Sequence, residues 1–338
     1  MRTLVSVAQG GMHDVLFTPP VVERLSALGE IVWNEGDKNW TADELRDQLE
    51  GMDALITCWG TPTLTEAVLA KADALRFVGH AAGSVANIAS DAVYDRDIVV
   101  ASANWQMAKG VAEWNLCAML MGLRRLWVWL ERVRTGGWLG FDERVSTVRR
   151  LDGCTVGIIG SGMIARELIR LMEPFRCRIL VHTNHMTAEQ AAAQGLELAS
   201  LEQLLQESDV IHLLTSLRAD TENMLNASNL GLIRDGAVFI NSARGRIIDE
   251  AALIEELRKG RFVAVLDVYH REPLPADSAL RTLPNVFPSP HMGGSGGEPY
   301  YADAIVSDLE QFLRGETPAH AINRQQWRNM TDQTVGKG

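Results

Sequence analysis

Residues far apart in the chain carry side chains suited to polar chemistry, and each follows a short apolar run. His291 lies in PSPHMGGSGGEP, Pro288 to Pro299, just after the run NVFP. Proline lacks a backbone donor and glycine is costly in regular elements, so this histidine sits on a loop. Arg244 closes the run AVFINSARG, and Glu272 follows VLDV in VLDVYHREPLP. An imidazole exchanges protons near neutrality, and a guanidinium presents paired donors in a fixed fork. Taken singly, His291 reads as a turn residue, Arg244 as a helix cap and Glu272 as a solvated charge. Together they stand at the ends of successive strand-like runs, and in a parallel doubly wound sheet those ends meet at the binding crevice.

A second feature strengthens that reading. CTVGIIGSGMIARELIRLM is an apolar strand, then Gly160-Ser161-Gly162-Met163-Ile164-Ala165, then an amphipathic helix. Gly160 permits a tight turn, Gly162 lets backbone approach a pyrophosphate, and Ala165 allows close helix packing. The helix N-terminus then faces the phosphates. An acid is expected at the end of the next strand, RILVHTNH, but Thr183 stands there.

The elements that position these residues alternate along the chain. TLVSVA, DALITC, LRFVGH and DIVVAS read as strands. TADELRDQLE opens a helix with Thr41 and Glu44 as a capping box, and TLTEAVLAKA reads as another helix. From Met107, MAKGVAEWNLCAMLMGLRRLWVWLERVRTG reads as one long buried helix or a helix pair. A second alternating series begins at CTVGIIG. The pattern predicts two α/β units with parallel sheets. The tail beyond Thr331 is polar and expected to be loose.

With 338 residues, 46% of them hydrophobic, the chain can build about two cores. A net charge of −11 disfavours nucleic acid and anionic membranes as partners, because basic surface drives binding to either. No membrane span or secretory signal is read. Cys58, Cys117, Cys154 and Cys177 form no C-x-x-C pair, so they are expected to be reduced thiols in a cytoplasmic protein. His182 and His185 stand at a strand end without further ligands, and no metal is expected.

In order and spacing, these motifs resemble the D-isomer-specific 2-hydroxyacid dehydrogenase family. The resemblance starts around DALITC and GHAAGSVANI, and runs through VAEWNLCAMLMGLRRL to SDLEQFLRGE. It implies a Rossmann-type cofactor domain over residues 105–292. It also implies a smaller flavodoxin-like α/β substrate domain from 1–104 and 293–338, with the active site in the cleft. Arg244 would hold the substrate carboxylate and polarise the 2-oxo group. His291 would be the acid-base group, oriented and made more basic by Glu272. Asp267 would lie near the nicotinamide carboxamide, and Val111, Ser216 and Ala243 would line the cofactor. Gly83 and Ser84 would help bind the substrate carboxylate through their backbone. There Ala82 replaces the family's first glycine, so its backbone must avoid positive φ.

The substrate loop CWGTPT carries Trp59 and Gly60 and no basic residue, so a phosphorylated substrate lacks a partner there. No added regulatory domain is expected. Trp59 suits an apolar tail or a sugar-acid face. Relatives of this kind also include dinucleotide-binding corepressors or scaffolds with little turnover, which form the alternative reading. Thr183 imposes no repulsion on a 2′-phosphate, and Arg218 in LLTSLRADT could reach the adenosine end. The choice between NAD(H) and NADP(H) is therefore open, with weak discrimination expected. Trp105, Trp114, Trp127, Trp129 and Trp138 crowd one region of the sequence and predict a homodimer.

Overall fold

The computed structural model describes residues 1–331, so the polar tail beyond Thr331 lies outside the described residues. The chain divides into two compact units: Met1–Ala108 with the segment from Ser295 onward, and Lys109–Gly294.

The first unit holds β1 (Arg2–Val5), β2 (Glu30–Trp33), β3 (Ala54–Thr57), β4 (Phe77–His80) and β5 (Val99–Ser102). All pair in parallel, in the order β2-β1-β3-β4-β5 of a flavodoxin-like sheet. β3 and β4 are buried at every position, as strands covered on both faces must be, which is why they open on the apolar runs Ala54-Leu55-Ile56 and Phe77-Val78. β2 lies at the edge and is only half-buried, although Ile31, Val32 and Trp33 form a short apolar run. The capping box at Thr41 and Glu44 opens the helix Ala42–Gln48. TLTEAVLAKA, expected to be a helix, forms only a 3-10 turn over Val68–Lys71. That short turn already delivers Val68, Leu69 and Ala72 to one core, so nothing is gained by extending it. The helix Tyr301–Leu313 covers the other face, where Gly79 leaves room for it: a Cβ there would lie 2.3 Å from Cγ2 of Ile305.

The second unit holds β6 (Thr155–Ile159), β7 (Arg178–His182), β8 (Glu197–Leu198), β9 (Val210–Leu213), β10 (Val238–Asn241), β11 (Val263–Leu266) and β12 (Val286–Pro288). The parallel order β12-β11-β10-β9-β6-β7-β8 is that of a Rossmann sheet extended by one strand. Its order reverses between β6 and β9. The protein is thus α/β, with two doubly wound parallel sheets.

The stretch after Met107 is a helix pair, Asn104–Arg124 and Leu126–Arg134, broken by Arg125 at a left-handed φ of 48°. Contrary to the expectation of burial, no residue of the second helix is buried. Nor do the tryptophans form one crowd. Trp105 stacks on His320 at 4.3 Å, and Trp127 packs on Phe287 at 5.2 Å. Trp114 joins the core over the sheet, Trp129 lies under Arg132, and Trp138 is 77% exposed. The rings diverge because the helix pair turns at Arg125 and different faces meet different neighbours.

Candidate active site

The dinucleotide cradle begins where β6 ends. Gly160 has φ 112°, and a Cβ there would sit 2.9 Å from the backbone of Leu214 and Thr215, so only glycine fits between the two strand ends. Gly162 is the N-cap of the helix Met163–Met172, without a side-chain cap, and its missing Cβ would face open space. The helix amides are therefore left for an anion, while Ala165 is buried against the sheet and Ile164 packs beside it. Ser161 Oγ lies 2.9 Å from Oγ1 of Thr183, just past β7, which brings Thr183 beside the loop. A dinucleotide pyrophosphate fits this cradle.

β10, β11 and β12 are neighbours, and the loops after them carry Arg244, Glu272 and His291. Nδ1–H of His291 donates to Oε2 of Glu272 at 2.6 Å. That hydrogen bond raises the His291 pKa above its ordinary value, against burial and the nearby Arg244 charge. Burial pushes Glu272 upward, but hydrogen bonds from His291 and from the Tyr269 amide outweigh it and hold the carboxyl below its usual range. The pair thus favours the imidazolium–carboxylate form, with Nε2 left for a substrate atom.

Arg244 is partly buried, and burial draws its pKa down while Glu272 opposes this. Among the described residues it forms no ion pair. Its Nη1 donates only to the carbonyl of Ala243, at 2.6 Å. A desolvated cation without a counter-ion is a ready anion site. The side chain of Asn241 fixes this loop, accepting from the Ala243 amide at 3.0 Å and donating to the Arg244 carbonyl at 3.2 Å.

Positioning contacts that the sequence reading missed surround His291. Oδ1 of Asp267 accepts from Ser289 Oγ at 2.5 Å and from the Met292 amide at 2.9 Å. Oδ2 accepts from the Gly293 amide at 2.8 Å. His291 lies between these anchors at a left-handed φ of 53°, which costs a non-glycine residue energy that the anchors offset. Asp267, expected beside the nicotinamide, is thus also the clamp of the histidine loop. The Tyr269 hydroxyl holds the Ser289 carbonyl at 2.8 Å, and the amide of the same residue holds Glu272. A second tie joins Ser242 to Asn115 at 2.8 Å, and Asn115 in turn donates to the carbonyl of the buried Val111 at 2.7 Å. His212 bonds Asn115 as well, and burial pushes its pKa down to about 3, so it stays neutral.

Ser216 and Arg218 follow β9. The Ser216 carbonyl accepts from Thr221 Oγ1 at 2.7 Å, and Arg218 is forked onto Asp220.

In the first unit, Trp59 is 44% exposed and meets Tyr301 edge-on at 6.1 Å. Gly60 turns at φ 84°, beside Asn39, which donates to the Trp59 carbonyl. Gly83 lies against Met107, with its carbonyl bonded by Ser102 at 2.5 Å, and Ser84 Oγ accepts from the Ala86 amide. Ala82 is not among the residues of positive φ.

Among the described residues no group of three or more His, Cys, Asp or Glu side chains could hold a metal ion. No described helix is long and apolar enough to cross a membrane.

A Rossmann sheet with a glycine loop at a helix N-terminus, and a hydrogen-bonded His–Glu pair beside an arginine without an ion pair at adjacent strand ends, points to a class: dinucleotide-binding α/β proteins. Comparison with known proteins narrows it. Residues 116–293 match the model of the D-isomer specific 2-hydroxyacid dehydrogenase NAD-binding domain, and the chain belongs to that family. It is 30% identical to the D-3-phosphoglycerate dehydrogenase of Methanocaldococcus jannaschii over 96% of this chain, but spans only 62% of that relative. It is 30% identical to the glyoxylate reductase of Thermococcus kodakarensis over 90% of this chain and 93% of the relative. The crystal structure of a phosphoglycerate oxidoreductase from Rhizobium etli superposes with a TM-score of 0.81 at 28% identity, covering 96% of this chain and 99% of that one.

Proposed function

We propose that the protein interconverts 2-oxo acids and D-2-hydroxy acids with a nicotinamide dinucleotide, using Lys109–Gly294 as the cofactor domain and the rest as the substrate domain. One observation carries this reading: the unpaired, partly buried Arg244 beside the 2.6 Å His291–Glu272 pair, on loops that follow adjacent strands.

Gly160, Ser161, Gly162, Met163 and Thr183 would hold the dinucleotide, with Val111, Ser216, Ala243 and Asp267 nearer its nicotinamide. When bound in reduced form it supplies a hydride. Arg244 binds the substrate carboxylate through its fork, and its charge favours the negative character that grows on the 2-oxo oxygen. His291 gives the Nε2 proton to that oxygen, and Glu272 stabilises the imidazolium beforehand. In oxidation the neutral imidazole takes the hydroxyl proton. A carboxylate bound at Arg244 cancels the charge that lowers the His291 pKa, so binding itself favours the protonated acid.

The substrate carries no phosphate in this reading, because Trp59 and Gly60 present an indole and a turn where a phosphate would need cations. Glyoxylate, hydroxypyruvate and larger 2-oxo acids fit that chemistry. A panel of 2-oxo acids assayed with NADH and NADPH tests the proposal. Turnover of at least one unphosphorylated acid is expected, and its absence across the panel would refute the reading.

A further inference from the structure

The acid missing at the end of β7 has a counterpart on the loop after β9. Thr183 stands beside the glycine loop through its contact with Ser161, and its Oγ1 accepts from the His185 amide at 3.1 Å. The loop after β9 starts against Gly160 at Leu214 and Thr215. Thr221 then closes that loop, accepting from the Arg218 amide at 2.8 Å and donating to the Ser216 carbonyl at 2.7 Å. The closed turn presents Arg218 with Nε and Nη2 on the two oxygens of Asp220, at 2.9 and 2.6 Å. This fork commits two of the guanidinium's five N–H donors to the carboxylate. Asp220 is held below the usual carboxylate range by its hydrogen bonds from Arg218, and His185, two residues past Thr183, adds to the effect. Asp220 thus stands on the loop that begins against Gly160 of the cradle, and Thr183 reaches the same cradle through Ser161.

We infer that Asp220 discriminates between the two nicotinamide cofactors, by masking Arg218 and by holding a negative charge at the adenosine end, so that NADH is preferred to NADPH. The inference rests on the hydride-transfer reading above. It replaces the weak discrimination expected from Thr183 alone, because the repelling acid comes from the loop after β9, on the other side of β6. A 2′-hydroxyl meets no penalty there. A 2′-phosphate meets Asp220, and Arg218 can pair with it only by leaving the fork. The Arg218–Asp220 pair is largely exposed, so the preference is modest, roughly tenfold.

The test is equilibrium titration of the full chain with NADH and with NADPH, for wild type, Asp220→Asn, Arg218→Ala and the double variant. Asp220→Asn is expected to shift the affinity ratio toward NADPH by roughly tenfold, since a neutral amide releases Arg218 and ends the repulsion. Arg218→Ala is expected to widen the NADH preference, because Asp220 is then uncovered. The double variant is expected to lose most of the gain. An Asp220→Asn ratio within about twofold of wild type, or a wild type that favours NADPH, overturns the inference alone. Failure of the wild type to bind either dinucleotide overturns the hydride-transfer reading, and this inference with it.

Discussion

Asp267 holds His291 without touching it: its carboxylate accepts from Ser289, Met292 and Gly293, on both sides of the histidine. The loop conformation that presents the imidazole is therefore set by a buried side chain at the end of β11. Asp267→Asn turns one acceptor oxygen into a donor facing amide hydrogens. Hydrogen bonds to a charged group contribute about 1.5–3 kcal/mol each, so loosening them is expected to cost kcat roughly tenfold or more. A kcat/KM–pH profile separates this from a merely structural role, because a displaced imidazole also loses Glu272 and its pKa falls. An unchanged kcat and profile would refute the clamp.

The His291–Glu272 pair fixes the pH dependence. The raised His291 pKa keeps the imidazole protonated over a wider range. The depressed Glu272 pKa keeps its partner charged well into acid. Reduction needs imidazolium, so its kcat/KM declines as pH rises through the His291 pKa, and oxidation follows the opposite course. Glu272→Gln removes the charge and is expected to move the decline to lower pH.

His291→Ala is expected to lower turnover roughly a hundred- to ten-thousand-fold while cofactor affinity is kept, since the imidazole serves proton transfer. Dinucleotide titration beside steady-state rates checks both halves. Near wild-type rates on the best substrate would remove His291 from the mechanism.

Arg244→Lys replaces a fork by a point charge. It is expected to raise KM and lower kcat, together reducing kcat/KM by roughly a hundredfold or more. Steady-state kinetics on the best 2-oxo acid decides the matter, and a loss below about tenfold would argue against two-point carboxylate binding.

The homodimer expectation now rests on different residues and is put forward as a proposal. Leu126, Leu130, Val133, Trp138, Phe141 and Val145 are exposed, and Leu116, Cys117, Leu120, Met121 and Leu171 line an open apolar groove. Such a surface is unfavourable in water unless covered. Light scattering at micromolar concentration is expected to give twice the chain mass. Leu130→Glu with Phe141→Glu is expected to halve it, and a monomeric wild type would refute the proposal.

Much of this protein was legible because its signals are local. Mostly apolar runs marked β3, β4 and β10, and the Gly160–Ala165 spacing marked the turn from β6 into its helix, since a tight turn constrains adjacent residues directly. Arg244, Glu272 and His291 were recognisable from their place just past strand ends. The edge strand β2 was passed over, although Ile31, Val32 and Trp33 make a short apolar run, because a run of three lies at the lower limit of a strand signal. The helix expected over TLTEAVLAKA failed because tertiary packing needed only one turn of it.

Sequence alone determined the fold class, the dinucleotide loop and the residues fit for acid-base and anion chemistry. Only the tertiary structure decided how they are held and balanced: Asp267 clamping the loop of His291, Asn115 tying down Ser242, Asp220 covering Arg218, and the tryptophans dispersing to separate neighbours. The physical reason is that local spacing sets a turn or a strand, whereas a side chain's partner depends on which strands become neighbours. β6 lies between β7 and β9, and β11 between β10 and β12, through crossovers that bring distant segments within hydrogen-bond range.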